Sequence, residues 1–362
     1  MMSGSAPGAA AGKTTAAAPG ALPDIKALSP ADLRGLVAQL GLPAFRADQL
    51  VAWLHGRGVS SFDQMTDLGL PLRTELASRF SIGRAVTKKR VESRIDGTRK
   101  YLVRFSDGET VETVGLPVGD RLTVCFSTQA GCAMACALCA TGKQGLSRSL
   151  SAGEMVDQVR LAGDDFGMRV TNAVAMGQGE PFANYDATLA ALRFMNAPKG
   201  LGIGARHLTL STCGIIKGIE QLAEEPEQFT LAVSLHSAVQ ATRNRMVPAM
   251  RAYPLPRLRA AMERYARASG RRPTIEYAMI DGVNDTIPER DALVAFCRGM
   301  MCHVNLIPMN DTGSRSLHRS TETTVRGFAN ALRAAGVEVS ERVERGADID
   351  AACGQLKRQA QD

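Results

Sequence analysis

Apolar positions recur with two different periods along this chain, and the change of period divides it. Leu33, Leu36, Val37 and Leu40 are spaced by three and four residues. Ser29-Pro30 ahead of them is an N-cap followed by a first-turn proline, and Gly41 stops the run. Leu50, Trp53 and Leu54 form a second stripe, and Leu68 to Phe80 a third helical stretch. These predict a small helical unit over residues 25–82. Over 83–118 the pattern turns strand-like at Val86–Ile95, Lys100–Phe105 and Glu109–Leu116, with turns at Asp96-Gly97 and Asp107-Gly108.

From Arg121 short apolar strands alternate with amphipathic helices. The strands are expected at Leu122–Phe126, Thr171–Met176, His207–Ser211, Thr230–Ser234, Thr274–Met279, His303–Pro308 and Val337–Val343. A helix over Ser151–Asp165 opens with Ser151 and Glu154 at capping-box spacing. Another, Thr324–Ala335, aligns Val325, Phe328, Ala329 and Leu332 and ends at Gly336. This alternation predicts an α/β fold, a parallel sheet curled into a partial barrel of (β/α)6 type over 119–343. Its chemistry then belongs at the C-terminal ends of the strands. Residues 344–362 follow as a C-terminal segment.

Composition narrows the function classes. With 45% hydrophobic and 22% charged residues the chain has material for a core and is not disordered throughout. Only residues 1–24, rich in Ala, Gly, Ser, Thr and Pro, read as a disordered tail. No apolar run reaches membrane-spanning length and no secretory signal is visible, so a cytoplasmic protein without a membrane partner is expected. The net charge is +7, and Lys88, Lys89, Arg90, Arg94, Arg99, Lys100 and Arg104 crowd into the strand-like module. That stripe points to a polyanion such as nucleic acid.

Of eight cysteines, four (Cys125, Cys132, Cys136, Cys139) lie within 15 residues. In a reducing compartment such clustering indicates metal ligation or catalysis. Cys132, Cys136 and Cys139 have the spacing C-x3-C-x2-C on the loop after the first barrel strand. Three thiolates hold three corners of a 4Fe-4S cluster and leave the fourth iron open to a substrate. The alternative is a zinc site completed by Cys125 or a distant histidine. Cys213, Cys297 and Cys302 read as ordinary thiols, and His207 and His303 as structural histidines.

This spacing after a first strand resembles the radical S-adenosylmethionine (SAM) superfamily. The stretches Arg121–Cys132, Ala140–Gly145 and Arg345–Leu356 narrow the resemblance to the RlmN/Cfr family, which methylates adenosine in RNA. The resemblance implies a radical SAM partial barrel with an N-terminal helical RNA-binding accessory domain, a 4Fe-4S cluster and two SAM molecules per turnover. It implies that Cys353 carries the methyl group, that Cys125 releases the protein–RNA crosslink through a Cys125–Cys353 disulfide, and that Glu112 accepts a proton. Gly179 and Glu180, Ser211, the run Ser234-Leu235-His236, and Asn310 match SAM-contacting positions. Gln178 stands where the common family form has Met. The implied partners are 23S rRNA, with tRNA a second candidate, and a flavodoxin- or ferredoxin-type electron donor, acting on a monomer. The expected product is 2-methyladenosine. Alternatives are methylation at carbon 8, a radical SAM enzyme with a non-RNA substrate, and an iron–sulfur carrier or zinc-stabilised RNA-binding protein without catalysis.

Overall fold

The computed structural model describes residues 22–310, 317–342 and 344–356. The expected tail is outside these up to residue 21. Asp24, assigned to that tail by composition, instead caps the first turn through Lys26 N and accepts from Gly83 N. The described residues open with helices: α1 (Pro30–Gln39), α2 (Phe45–Val51) and α3 (Leu70–Arg79). Ser29 and Asp32 form a reciprocal capping box at the start of α1. The apolar stripes read from the sequence bury Leu33, Leu36, Val37, Leu50, Trp53 and Leu54.

The three strand-like segments form β1 (Val86–Glu92), β2 (Arg99–Arg104) and β3 (Thr110–Val118), antiparallel to one another. They do not close on themselves. β3 pairs antiparallel with β4 (Arg121–Cys125), the first barrel strand, so all belong to one ten-stranded sheet. A short hairpin, β5 (Gln129–Gly131) and β6 (Leu146–Ser149), brackets the cysteine loop. The capping box of Ser151 and Glu154 then starts α4 (Ala152–Phe166), which ends at the left-handed Gly167.

The remaining strands add in chain order: β7 (Val170–Ala175), β8 (Leu208–Thr212), β9 (Thr230–Ser234), β10 (Thr274–Met279), β11 (His303–Pro308) and β12 (Glu338–Glu341). Within the ten-stranded sheet every pairing from β4 onward is parallel. The crossovers carry α5 (Tyr185–Asn196), α6 (Ile216–Glu224), α7 (Gln240–Met246), α8 (Leu255–Ser269), α9 (Ile287–Cys297) and α10 (Glu322–Ala334). The expected α/β partial barrel is therefore present. The apolar runs of β9 and β10 are buried on both faces, as a helix-covered parallel sheet requires. Among the described residues no helix is long and apolar enough to cross a membrane.

Candidate active site

The C-terminal strand ends surround a cavity with two lobes. The inner lobe, about 170 Å³, is lined by Cys132, Cys136 and Cys139, by Gly179 and Glu180 after β7, by Ser211 and Ser234, and by His236 and Asn310. The outer lobe, about 320 Å³, contains Cys125 at the end of β4 and Val114 and Leu116 of β3. Cys353, Cys139, Asn310 and Arg342 line both lobes. Residues scattered from 125 to 353 thus converge because each follows a strand that ends at the same rim.

Backbone geometry accounts for several placements. Gly179 has φ +102°, and a Cβ there would lie 2.7 Å from Gln129 N and Thr128 Oγ1. Only glycine fits that turn. Glu180 is buried, and its two carboxylate oxygens accept from Phe182 N (3.0 Å) and Cys213 N (2.8 Å). Burial nevertheless raises its pKa. His236 adopts φ +57°. Its Nδ1 faces the Ala278 N–H at 3.1 Å and so acts as acceptor, which assigns the proton to Nε2. Burial, aided by Arg243, lowers its pKa to about 3, so the ring is neutral. Leu235 is fully buried and contributes backbone: its N–H donates to the Glu276 carbonyl at 3.0 Å. Gln178 is buried too, and its carbonyl accepts from Thr128 N and Gln129 N, fixing the approach to the cysteine loop.

The cysteine loop is held against the C-terminal segment. Ala140 N donates to the Gly354 carbonyl (2.8 Å), Thr141 Oγ1 to the Leu356 carbonyl (2.6 Å), and Asn310 Nδ2 to the Cys353 carbonyl (3.0 Å). Cys353 keeps exposed surface, but that surface opens into the cavity. The surrounding walls raise its thiol pKa against the pull of the Arg342 guanidinium. Burial, then the neighbouring Cys353, pushes Cys125 up to about 12. All eight cysteines are free thiols, so the expected Cys125–Cys353 disulfide is not formed in this structure.

The donor set fits an iron–sulfur cluster. Burial pushes Cys132 up to about 12 and Cys136 higher, and in each the neighbouring thiols and Glu180 add to the rise. Sulfurs that repel one another as thiolates in a buried site are stabilised when a cationic metal group binds. Among the described residues no three His, Cys, Asp or Glu side chains are arranged around a single metal ion. A cuboidal cluster asks for something different, one sulfur at each of three corners.

Glu112 lines neither lobe. It is 1% exposed on β3, with its carboxylate 3.3 Å from Lys100 Nζ. Lys100 is accordingly not a surface cation, and Arg99 and Arg90 are ion-paired with Asp165 and Glu92, so the seven-cation stripe is only partly free.

The sequence pattern missed three charged residues. Arg243, fully buried, donates to the carbonyls of Ser234, Leu235 and Cys213 and so joins the ends of β8 and β9. Glu276 lines the inner lobe, and Arg342 both. Glu276 was detectable as the one charge in the apolar run Thr274–Met279, which a doubly buried strand tolerates only for a reason.

Comparison with known proteins identifies the family. Residues 24–82 match the ribosomal RNA large subunit methyltransferase N-terminal domain, and residues 126–293 the radical SAM superfamily. A probable dual-specificity RNA methyltransferase RlmN of Geobacillus kaustophilus is 44% identical over 93% of each chain. A protein of the same description from Gemmatimonas aurantiaca is 46% identical, again over 93% of each. The crystal structure of a radical SAM methyltransferase from Sphaerobacter thermophilus superposes with a TM-score of 0.84 at 43% identity, covering 92% of this chain and 99% of that one. On this agreement of sequence and fold, the chain belongs to the RlmN family of radical SAM RNA methyltransferases.

Proposed function

We propose that the protein methylates carbon 2 of adenosine in 23S rRNA and in tRNA, using a methyl group carried on Cys353 and two SAM molecules per turnover. The observation that carries this reading is the position of Cys353 in the wall common to both lobes, facing the three clustered cysteines on one side and Cys125 on the other. A carrier must meet the methyl donor and then the acceptor base, and this wall adjoins a chamber for each.

Cys132, Cys136 and Cys139 would hold a 4Fe-4S cluster, and Gly179, Glu180, Ser211, the Ser234-Leu235-His236 turn and Asn310 a SAM beside it. When bound, cluster and SAM supply one-electron cleavage of the sulfonium bond and a radical able to take hydrogen from a methyl group. The Cys353 thiolate first accepts a methyl group from SAM by displacement, a step suited to a soft nucleophile. The methylene left after hydrogen removal adds to the adenine carbon. Glu112, the proton acceptor that the resemblance implies, is paired with Lys100 and lines neither lobe, so the proton would have to reach it from the cavity through an intervening group. Cys125 then attacks the Cys353 sulfur, freeing the methylated base and leaving a disulfide for an external thiol to reduce, and the adduct's unpaired electron would be returned to the cluster. His236 presents a neutral Nε2–H into the inner lobe. The helical unit and the exposed cations of β1 serve as the RNA contact. A flavodoxin- or ferredoxin-type protein supplies the electron, and the enzyme works as a cytoplasmic monomer.

The test is nucleoside mass spectrometry on rRNA fragment or tRNA treated with anaerobically reconstituted protein, SAM and reductant. Wild-type protein should yield 2-methyladenosine and Cys353→Ala none. An 8-methyl product would move the attack to the other carbon. Deoxyadenosine without methylated RNA would point to another substrate.

A further inference from the structure

The segment that presents Cys353 is fastened at two places. One is the cysteine loop with Asn310, described above. The other is the β1–β2 turn, more than 240 residues earlier in the chain. There Gly346 N donates to Asp96 Oδ2 (3.0 Å), Arg94 N to Asp348 Oδ2 (3.0 Å), and Lys100 Nζ to the Asp350 carbonyl (3.0 Å).

The fastened piece is an unusual turn. Ala347–Ile349 form one 3₁₀ turn between two left-handed residues, Gly346 (φ +62°) and Asp350 (φ +51°). A side chain at Gly346 would collide with Thr98 and Ala351. A non-glycine residue at positive φ persists only where its surroundings hold it. The Lys100 ammonium does so by taking the carbonyl that the turn at Asp350 exposes. Lys100 is itself buried and set by its ion pair with Glu112, which makes it unsuited to contacting phosphate.

We infer that Lys100 and Asp96 are positioning residues for Cys353: the β1–β2 turn latches the 346–350 turn and thereby fixes where the cysteine stands between the two lobes. This rests on the reading of Cys353 as methyl carrier. Cys353 is the third residue after Asp350, whose carbonyl Lys100 holds, so a released latch displaces the sulfur while the part of the inner lobe built from the ends of β7, β8 and β9 stays in place. Displacement of a reacting atom by about 1 Å costs up to about 100-fold in rate.

The test uses the reconstituted full-length protein with Lys100→Met, Lys100→Arg and Asp96→Ala. Two quantities are followed: methyl on the Cys353 peptide, by mass spectrometry after addition of SAM, and SAM affinity, by equilibrium dialysis. The rate of Cys353 methylation should fall roughly tenfold or more in Lys100→Met and in Asp96→Ala, and recover in Lys100→Arg, whose guanidinium still donates. SAM affinity should change by less than about threefold, because the residues after β7, β8 and β9 that line the inner lobe keep their places. Hydrogen exchange should rise over 346–356 and not over β8 to β11. Loss of SAM affinity in step with Cys353 methylation in a folded variant would overturn the proposal, as would wild-type methylation and exchange in both variants. Should Lys100→Met fail to fold, Asp96→Ala at the turn decides alone. If wild-type Cys353 acquires no methyl group, the carrier reading falls, and the exchange pattern still judges the latch.

Discussion

The parallel half of the sheet and its antiparallel extension share one hydrogen-bonded ladder but are built for different purposes. In β9 and β10 side chains are buried on both faces, and each strand end delivers one or two residues to the inner lobe. The extension is graded instead. β3 is buried over its first six residues and supplies a wall of the outer lobe, whereas β1 is exposed along almost its whole length. The parallel half thus makes a site at its ends, with strand interiors left to packing. The extension makes its contribution through edges and turns: an open strand rich in cations and a turn that grips the Cys353 segment. Breaking the first should abolish SAM chemistry, while breaking the second should leave SAM chemistry and damage what depends on RNA or on Cys353.

The largest effect is expected at Gly179 in the parallel half. In Gly179→Ala the new methyl meets Gln129 N at 2.7 Å at a φ that alanine avoids, so the turn must move away from the inner lobe. SAM affinity should fall by at least about 100-fold, with a stability loss of ~2–3 kcal/mol. Equilibrium dialysis with SAM and a thermal melt measure the two. Near-normal SAM binding would mean that this turn does not shape the chamber.

A smaller effect is expected from the open edge. Lys88, Lys89 and Arg104 are exposed. Lysines on an edge strand also serve to discourage pairing with other chains, so their presence alone does not prove RNA contact. Replacing all three with alanine should reduce the slope of log affinity against log salt by about 2 if each meets a phosphate of single-stranded RNA. SAM cleavage without RNA should be unchanged. An unaltered salt slope combined with new aggregation would assign these residues to edge protection.

The same contrast governs what was legible in the sequence. β9, β10 and β11 begin and end where the apolar runs do, because a strand buried on both faces writes its limits into every residue. The capping box at Ser151 fixed the start of α4 for an equally local reason. Pairing partners are not local. Nothing in Val86–Val118 says that β3 will join the barrel, or that the Asp96-Gly97 turn will meet residues 346–350. Lys100 therefore read as one more surface cation, although it is buried against Glu112. Arg243 is the extreme case, a buried guanidinium whose three carbonyl partners come from two strand ends. Most residues that line the cavity were visible through motif and strand-end position, whereas the supports behind them depend on contacts between distant segments.

The smallest effect separates two histidines that are buried alike and employed differently. His236 uses Nδ1 to accept from Ala278 and turns Nε2 to the cavity. His55, in the helical unit, stacks on Phe194 at 3.9 Å, and neither ring nitrogen has a hydrogen-bond partner among the described residues. Burial lowers both to a pKa of about 3 from an ordinary 6.5. Between those values the unfolded chain binds more protons than the folded one, so stability is complete above pH 6.5 and lost as pH falls below it. Each ring contributes up to ~1.4 kcal/mol per pH unit in that window. Glu180, Glu276 and Asp157, whose pKa values burial raises, act in the opposite sense, so the informative quantity is the difference between variant and wild type. His55→Leu removes one ring's share and an unpartnered polar group. Its stability should match or exceed wild type at pH 7.5, with a lead that grows by ~1 kcal/mol per unit down to pH 5. Denaturant melts at three pH values test this. A constant difference would show that His55 takes up its proton in the folded state as readily as in the unfolded one, which its burial against Phe194 forbids.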